Sequence, residues 1–297
     1  MTDISDKFHG VFPVLVTPFT ENGEIDEKPL KEQVRYLIKE GVHGIVANGS
    51  TGEFAFLNDD ERKQVMDIVI YAADGAVPVI VGTADVATER VVMFTEYAEK
   101  YGADGVMIVA PYYGSFTDEE IFQHYETIDE NTNLPIMFYN NPGASGTRIE
   151  QGVIEKISEL ENVLYLKESS GKWPIFIDIK DRCKDNVKIF CGCDTLALDM
   201  FKNGAVGWVV PVGNLIPKQC VELYNFAVVQ KDYEKAEGLN TRLSPILHAF
   251  EDTGKYVQFA KAGLKILGRP YGKPRRPLLP ATEEEEHMLQ EMLYDIL

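Results

Sequence analysis

Eight short apolar runs, each followed by a helical pattern, constrain this chain more than any other feature. They are VFPVLV (11–16), HGIVA (43–47), VPVIV (77–81), DGVMIV (104–109), PIMFY (135–139), VLYLK (163–167), VKIFC (187–191) and VGWVV (206–210). Each is too uniformly apolar to leave one face in water, which is how parallel strands covered on both sides read. Between them, apolar residues recur at helical spacing: Leu30, Val34, Leu37 and Ile38 share one face, and Gly41 follows as a stop. Asn58 and Asp59 open the next helical segment as capping residues. Eight strand-then-helix units predict an α/β fold, a (β/α)8 or TIM barrel over 1–216, rather than two separate domains.

The remainder, 217–297, holds only helical patterns, broken by the Pro-rich stretch GRPYGKPRRPLLP (268–280). It reads as a C-terminal helical appendage on the barrel, including the last barrel helix. No Gly/Ser linker or low-complexity tract separates it from the rest.

A formal net charge of −18 argues against nucleic acid or an anionic membrane surface as partner, because both are bound by excess Lys and Arg. A small anionic substrate stays open, since a pocket can oppose the overall field. The start MTDISDKFHG lacks a basic segment and an apolar core, so no secretory signal is read there. No apolar run approaches the roughly 20 residues that span a bilayer, and a cytoplasmic protein is expected. Cys183, Cys191, Cys193 and Cys220 are too few and too unevenly spaced for a disulfide framework. Cys191 and Cys193 lack a second pair at zinc-site spacing and read as packing residues at a strand end.

In a barrel of this kind the site is built at the carboxyl ends of the strands. That end carries Asn48-Gly49-Ser50-Thr51-Gly52-Glu53 after the second strand and Pro111-Tyr112-Tyr113-Gly114 after the fourth. It also carries Tyr139-Asn140-Asn141-Pro142 at the fifth, Lys167 at the sixth and Gly192-Cys193-Asp194 after the seventh. Read alone, Lys167 is best taken as a strand-end lysine reaching solvent. On the rim it acquires a use: desolvation disfavours an ammonium, and a free amine condenses with a ketone to give an iminium. An iminium accepts the electron pair of a bond broken beside it. Tyr139 is a candidate proton carrier, and equally a core tyrosine bonded to a carbonyl. The turn at Ser50 and Thr51 offers hydroxyls and unhindered N–H groups to a small carboxylate.

Other chemistries find no residues. His43 begins its strand, and His9, His124, His248 and His287 lie away from the rim, so no catalytic metal is expected. No P-loop, no GxGxxG after a strand and no Gly-rich phosphate cradle follow the seventh or eighth strand, so no cofactor is expected either. Asp194 is open between helix cap and substrate ligand.

The motifs VTPF (16–19), GSTGE (49–53), PVIVGT (78–83), APYY (110–113), FYNNP (138–142) and LKESSG (166–171), with GRP (268–270) and PRRPLLP (274–280), occur in an order that spans the chain. Together they resemble the dihydrodipicolinate synthase / N-acetylneuraminate lyase family of class I, Schiff-base-forming barrels. The resemblance implies that Lys167 forms an imine with pyruvate or another 2-oxo acid, that Tyr139 relays protons, and that Ser50 and Thr51 hold the carboxylate. It also implies that Val209 packs beside the imine and that Tyr113 is a second relay tyrosine, acting through Ser50 and lent across a dimer interface. A homotetramer, a dimer of dimers, is the implied assembly.

Two departures bear on substrate. The synthases carry an arginine at the position of Ala144, and Arg148 lies four residues beyond it. N-acetylneuraminate lyases place two acids after the seventh strand and a serine after the eighth; here Asp194 matches one acid, while Thr195 and Pro211 depart. The expectation is therefore a cofactor-independent lyase, an aldolase or dehydratase of a 2-keto-3-deoxy sugar acid or related hydroxy acid. Asn141, Ala144, Ser169, Ser170, Asp194 and Val209 are candidates for reading the substrate. Dihydrodipicolinate synthesis from pyruvate and aspartate semialdehyde is the alternative, and a non-catalytic 2-oxo acid sensor or scaffold is the alternative of another class. The run Glu283 to Glu286 is expected only to solvate the surface.

Overall fold

A computed structural model describes residues 7–297; the reading of the leader segment lies, through residue 6, outside the described residues. Eight strands appear where the apolar runs predict them. They are β1 (Gly10–Pro13), β2 (Ile45–Ala47), β3 (Val79–Gly82), β4 (Gly105–Val109), β5 (Ile136–Asn140), β6 (Val163–Glu168), β7 (Lys188–Cys191) and β8 (Gly207–Val210). All pairs are parallel, in the order β1-β8-β7-β6-β5-β4-β3-β2. The ring closes between β1 and β2 through the Val14–Val46 bridge and the Leu15 N–H to Val46 carbonyl bond of 2.9 Å. The fold is a (β/α)8 barrel with further helices at its carboxyl terminus.

Most strands are a residue or two shorter than the runs, while β5 matches its run in length and β6 runs one residue further, to Glu168. Their apolar side chains are buried on both faces: inside, Phe12, Tyr165 and Phe190 meet edge to edge, while Phe201 packs on Trp208 on the outer side of β8. Helix Asp59–Ala73 starts on a capping box formed by Asn58 and Glu61, so the capping signal in the sequence is realised by the first of the two polar residues.

The last helices, Tyr233–Thr253, Tyr256–Ile266 and Glu283–Ile296, share the barrel's hydrophobic cluster through Leu243, Phe250, Phe259, Leu289 and Leu293. The acidic run at Glu283 to Glu286 does more than the solvating role expected of it. It forms the first turn of the terminal helix, where Thr282 and Glu285 make a capping box, Glu285 pairs with Lys255, and Glu286 pairs with Lys265 at 2.8 Å. Among the described residues no helix is long and apolar enough to cross a membrane.

Candidate functional site

Strand register brings the two central residues together. Tyr139 and Lys167 are partners on β5 and β6, and the lysine Nζ lies 3.9 Å from the centre of the tyrosine ring. Both side chains are 5% exposed. An ammonium here is stripped of most of its water and meets a π face, so the solvent-reaching alternative for Lys167 does not hold.

Three features fix this pair. Gly192, after β7, presents bare backbone to the lysine stem: a Cβ at that position would overlap Ser169 Oγ and lie 2.6 Å from Lys167 Cε. Asn141 donates its side-chain amide to the Tyr139 hydroxyl at 2.6 Å, while its Oδ1 accepts the Ala144 N–H at 3.0 Å and caps helix Pro142–Ser145. Beside the lysine, the Glu168 carboxylate is buried and takes the Asn140 amide at 2.6 Å and the Ser170 N–H at 2.7 Å. Burial pushes the Glu168 carboxyl upward, against those hydrogen bonds.

The Ser50–Gly52 turn follows β2 and leaves Ser50 exposed and Thr51 buried. It is held at both ends. Asn48, in a left-handed conformation at φ 52°, donates to the Arg62 carbonyl at 2.8 Å. Glu53, at φ 62°, ends the turn and sends its carboxylate into the helical appendage. There Lys261 Nζ lies 2.6 Å from Glu53 Oε1, and the Arg275 N–H donates to Oε2 at 2.7 Å. Burial brings the Lys261 amine down to about 8, opposed by the attraction of Glu53.

The other predicted residues fall in distinct places. Val209 is fully buried in β8 opposite Phe12. Ser169 Oγ is buried without a hydrogen-bond partner among the described residues, and Ser170 is half-buried. Ala144 is exposed, and Arg148 is 75% exposed and pairs with Glu150 at 3.4 Å. Asp194 is buried: Trp208 Nε1 donates to Oδ1 at 3.0 Å, its own N–H donates to Glu251 at 2.9 Å, and Oδ2 has no hydrogen-bond partner among the described residues. Loss of water, reinforced by Glu251, pushes the Asp194 carboxyl up to about 8. Tyr113 is 86% exposed, and the chain by itself does not bring it to Tyr139.

Sequence reasoning missed Glu251 and Trp208, which hold Asp194, and the Glu53–Lys261 pair. Glu53 was visible as the acid that follows the turn; Lys261 had no signal, because its partner lies at the other end of the chain. Among the described residues no group of three His, Cys, Asp or Glu side chains is spaced to hold a metal.

The comparisons with known proteins agree with this geometry. A model of the dihydrodipicolinate synthetase family matches residues 7–296. The chain is 35% identical to a 4-hydroxy-tetrahydrodipicolinate synthase of Methanothrix thermoacetophila, over 96% of each sequence. It is 34% identical to that of Methanocaldococcus jannaschii, over 97% of this chain and 99% of the relative. The solved dihydrodipicolinate synthase of Thermotoga maritima superposes with a TM-score of 0.93 at 32% identity, over 98% of this chain and 99% of that one. With the barrel, the rim and these matches in agreement over nearly its whole length, the chain belongs to the dihydrodipicolinate synthetase family and is a class I, Schiff-base lyase of it.

Proposed function

We propose that Lys167 attacks the carbonyl carbon of a pyruvate-type 2-oxo acid, loses water and becomes the iminium on which the reaction runs. The observation that carries this is the buried Lys167 Nζ lying 3.9 Å from the Tyr139 ring, on adjacent strands. Ser50 and Thr51 hold the substrate carboxylate. Tyr139, with its hydroxyl oriented by Asn141, takes a proton from the carbon beside the iminium as it passes its own O–H proton to Ser50 in the relay, and the resulting enamine is the carbon nucleophile.

The names of the relatives favour 4-hydroxy-tetrahydrodipicolinate synthesis, in which that enamine adds to the aldehyde of aspartate semialdehyde. This replaces the sugar-acid aldolase or dehydratase as the first reading. The second reading keeps one observation in its favour: the family's arginine position is Ala144, and Arg148 is turned to solvent beside Glu150. A second substrate carboxylate then lacks its usual cation, whereas a hydroxylated tail does not need one.

Treating the protein with pyruvate and borohydride tests the imine. Reduced adduct on Lys167 is expected, and its absence overturns the mechanism. Turnover with pyruvate plus aspartate semialdehyde, set beside a panel of 2-keto-3-deoxy acids, decides between the two readings. An adduct with no turnover on any of them would return the sensor or scaffold alternative.

Tyr113 enters this scheme as a relay lent to a neighbouring subunit through Ser50, in a dimer of dimers. Its exposure in the single chain supports that role. Family membership alone does not fix the assembly, since a solved synthase variant described as monomeric matches at 32% identity and a TM-score of 0.91, over 99% of each chain. Sedimentation across a dilution series, with activity followed in parallel, tests it: activity that survives in a monomer removes Tyr113 from the relay.

A further inference from the structure

One side of the rim is left over by the imine chemistry. In the ring order β2 and β6 stand four strands apart, on opposite sides of the barrel. With the substrate carboxylate held after β2 and Tyr139 placed on β5, a chain that continues past the imine is led over the loops that follow β6 and β7. Those loops meet: a Cβ at Gly171 would lie 4.0 Å from Cys193 Sγ, and one at Gly192 would run into Ser169 and Lys167.

The helical appendage brings a carboxylate to this side. Glu251, near the end of helix Tyr233–Thr253, accepts the Asp194 N–H at 2.9 Å. Tyr256 opens the next helix, and its ring centre lies 6.4 Å from that of the buried Phe250. Cys193 and Asp194 are buried, whereas Glu251 and Tyr256 are half-buried, so a small molecule can reach the acid and the phenol.

Their neighbours tie them to the reacting pair. Burial raises the Tyr256 hydroxyl most, Glu251 and Asp194 add to it, and Tyr139 contributes as well. Asp194 is raised by burial and by Glu251 and is drawn down by Lys167. The acid and the phenol therefore stand within the electrostatic reach of Lys167 and Tyr139.

A carboxylate accepts hydrogen bonds and donates none, with about four positions for doing so. It suits a donor on the tail of a substrate and opposes a second carboxylate there. Building on the imine at Lys167, we propose that Glu251, oriented by Tyr256, is a specificity-determining residue that accepts a hydrogen bond from a hydroxyl or ammonium carried beyond C3 of the bound 2-oxo acid. Both readings of the reaction supply such a donor: the hydroxyls of a sugar acid, or the ammonium of aspartate semialdehyde.

Borohydride trapping on Lys167 tests the hydroxyl without requiring turnover. The concentration that half-saturates labelling is measured for pyruvate and for two six-carbon acids, 2-keto-3-deoxygluconate with its hydroxyls and 2-oxohexanoate with none. Condensation of pyruvate with aspartate semialdehyde, followed as KM for the aldehyde, tests the ammonium. Glu251→Ala should raise one of these two values, for the deoxygluconate or for the semialdehyde, about tenfold or more beyond any change with pyruvate or 2-oxohexanoate. Which value rises identifies the donor. An equal rise with pyruvate makes Glu251 a brace for the Asp194 loop and overturns the proposal, as does no rise in either arm. Absence of any adduct in the wild type overturns the imine itself, so the two failures are distinct. If Glu251→Ala does not fold, Tyr256→Phe decides: a rise of about threefold or more confined to the donor-bearing substrate supports the proposal, and an equal rise or none overturns it.

Discussion

Glu53 and Lys261 form a salt bridge of 2.6 Å in which the side chains are 0% and 3% exposed, joining the Ser50–Thr51 turn to the helical appendage. The Lys261 ammonium also donates to the Lys273 carbonyl at 3.2 Å and lies 4.2 Å from the Phe19 ring centre. Removing one partner leaves the other charge buried without its counter-ion, which costs about 3–5 kcal/mol, while replacing both costs less. Urea unfolding should therefore rank Lys261→Met well below Glu53→Gln/Lys261→Met in stability. Because the pair grips the proposed carboxylate turn, the double variant should also raise KM for pyruvate more than it lowers kcat.

Gly192→Ala places a methyl group against Lys167 Cε and Ser169 Oγ, where the fold has no room. Overpacking of this kind costs about 1–3 kcal/mol, which a barrel of this size withstands. The variant should fold and lose the borohydride-trapped adduct. Mass spectrometry after pyruvate and borohydride reads that loss directly.

Tyr139→Phe keeps the ring beside Lys167 Nζ and removes the hydroxyl that Asn141 orients. Loss of a positioned proton carrier lowers turnover by roughly 10²–10⁴-fold. Imine trapping at long incubation should persist, so adduct formation and turnover separate in this variant. Equal loss of both would mean that the tyrosine acts in forming the imine.

Burial lifts the Asp194 carboxyl to about 8, above its value near 3.9 in an unfolded chain. The folded state then holds the proton more tightly than the unfolded state. Its contribution to stability is complete below pH 4 and is lost as the pH rises to about 8, with a slope of at most about 1.4 kcal/mol per unit. Asp194→Asn removes this titration while its Oδ1 can still accept from Trp208. Denaturation midpoints at pH 5 and pH 8 should converge in the variant and differ in the wild type.

The strand ends and the rim were legible because both depend on local pattern. The run ending at Leu166 had to be a buried strand, and counting strands from the first put Lys167 on the same rim as Tyr139, Ser50 and Thr51. The role of the Glu283 to Glu286 run was not legible. Its pairs with Lys255 and Lys265 join separate helices, and nothing in the acidic run itself names a partner. Asp194 stood between a cap and a substrate ligand for the same reason, since Trp208 and Glu251 reach it from other elements.

The sequence by itself determined the eight strand-and-helix units, the end of the barrel where the proposed chemistry gathers, and the lysine and tyrosine that belong to that rim. Periodicity and strand order are properties of neighbouring residues, so they can be read along the chain. Only the tertiary structure decided that Glu53 is anchored by Lys261 and that Gly192 must stay bare beside Lys167. Those contacts join residues from distant parts of the chain, and they exist only once the barrel has closed and its last helices have packed against it.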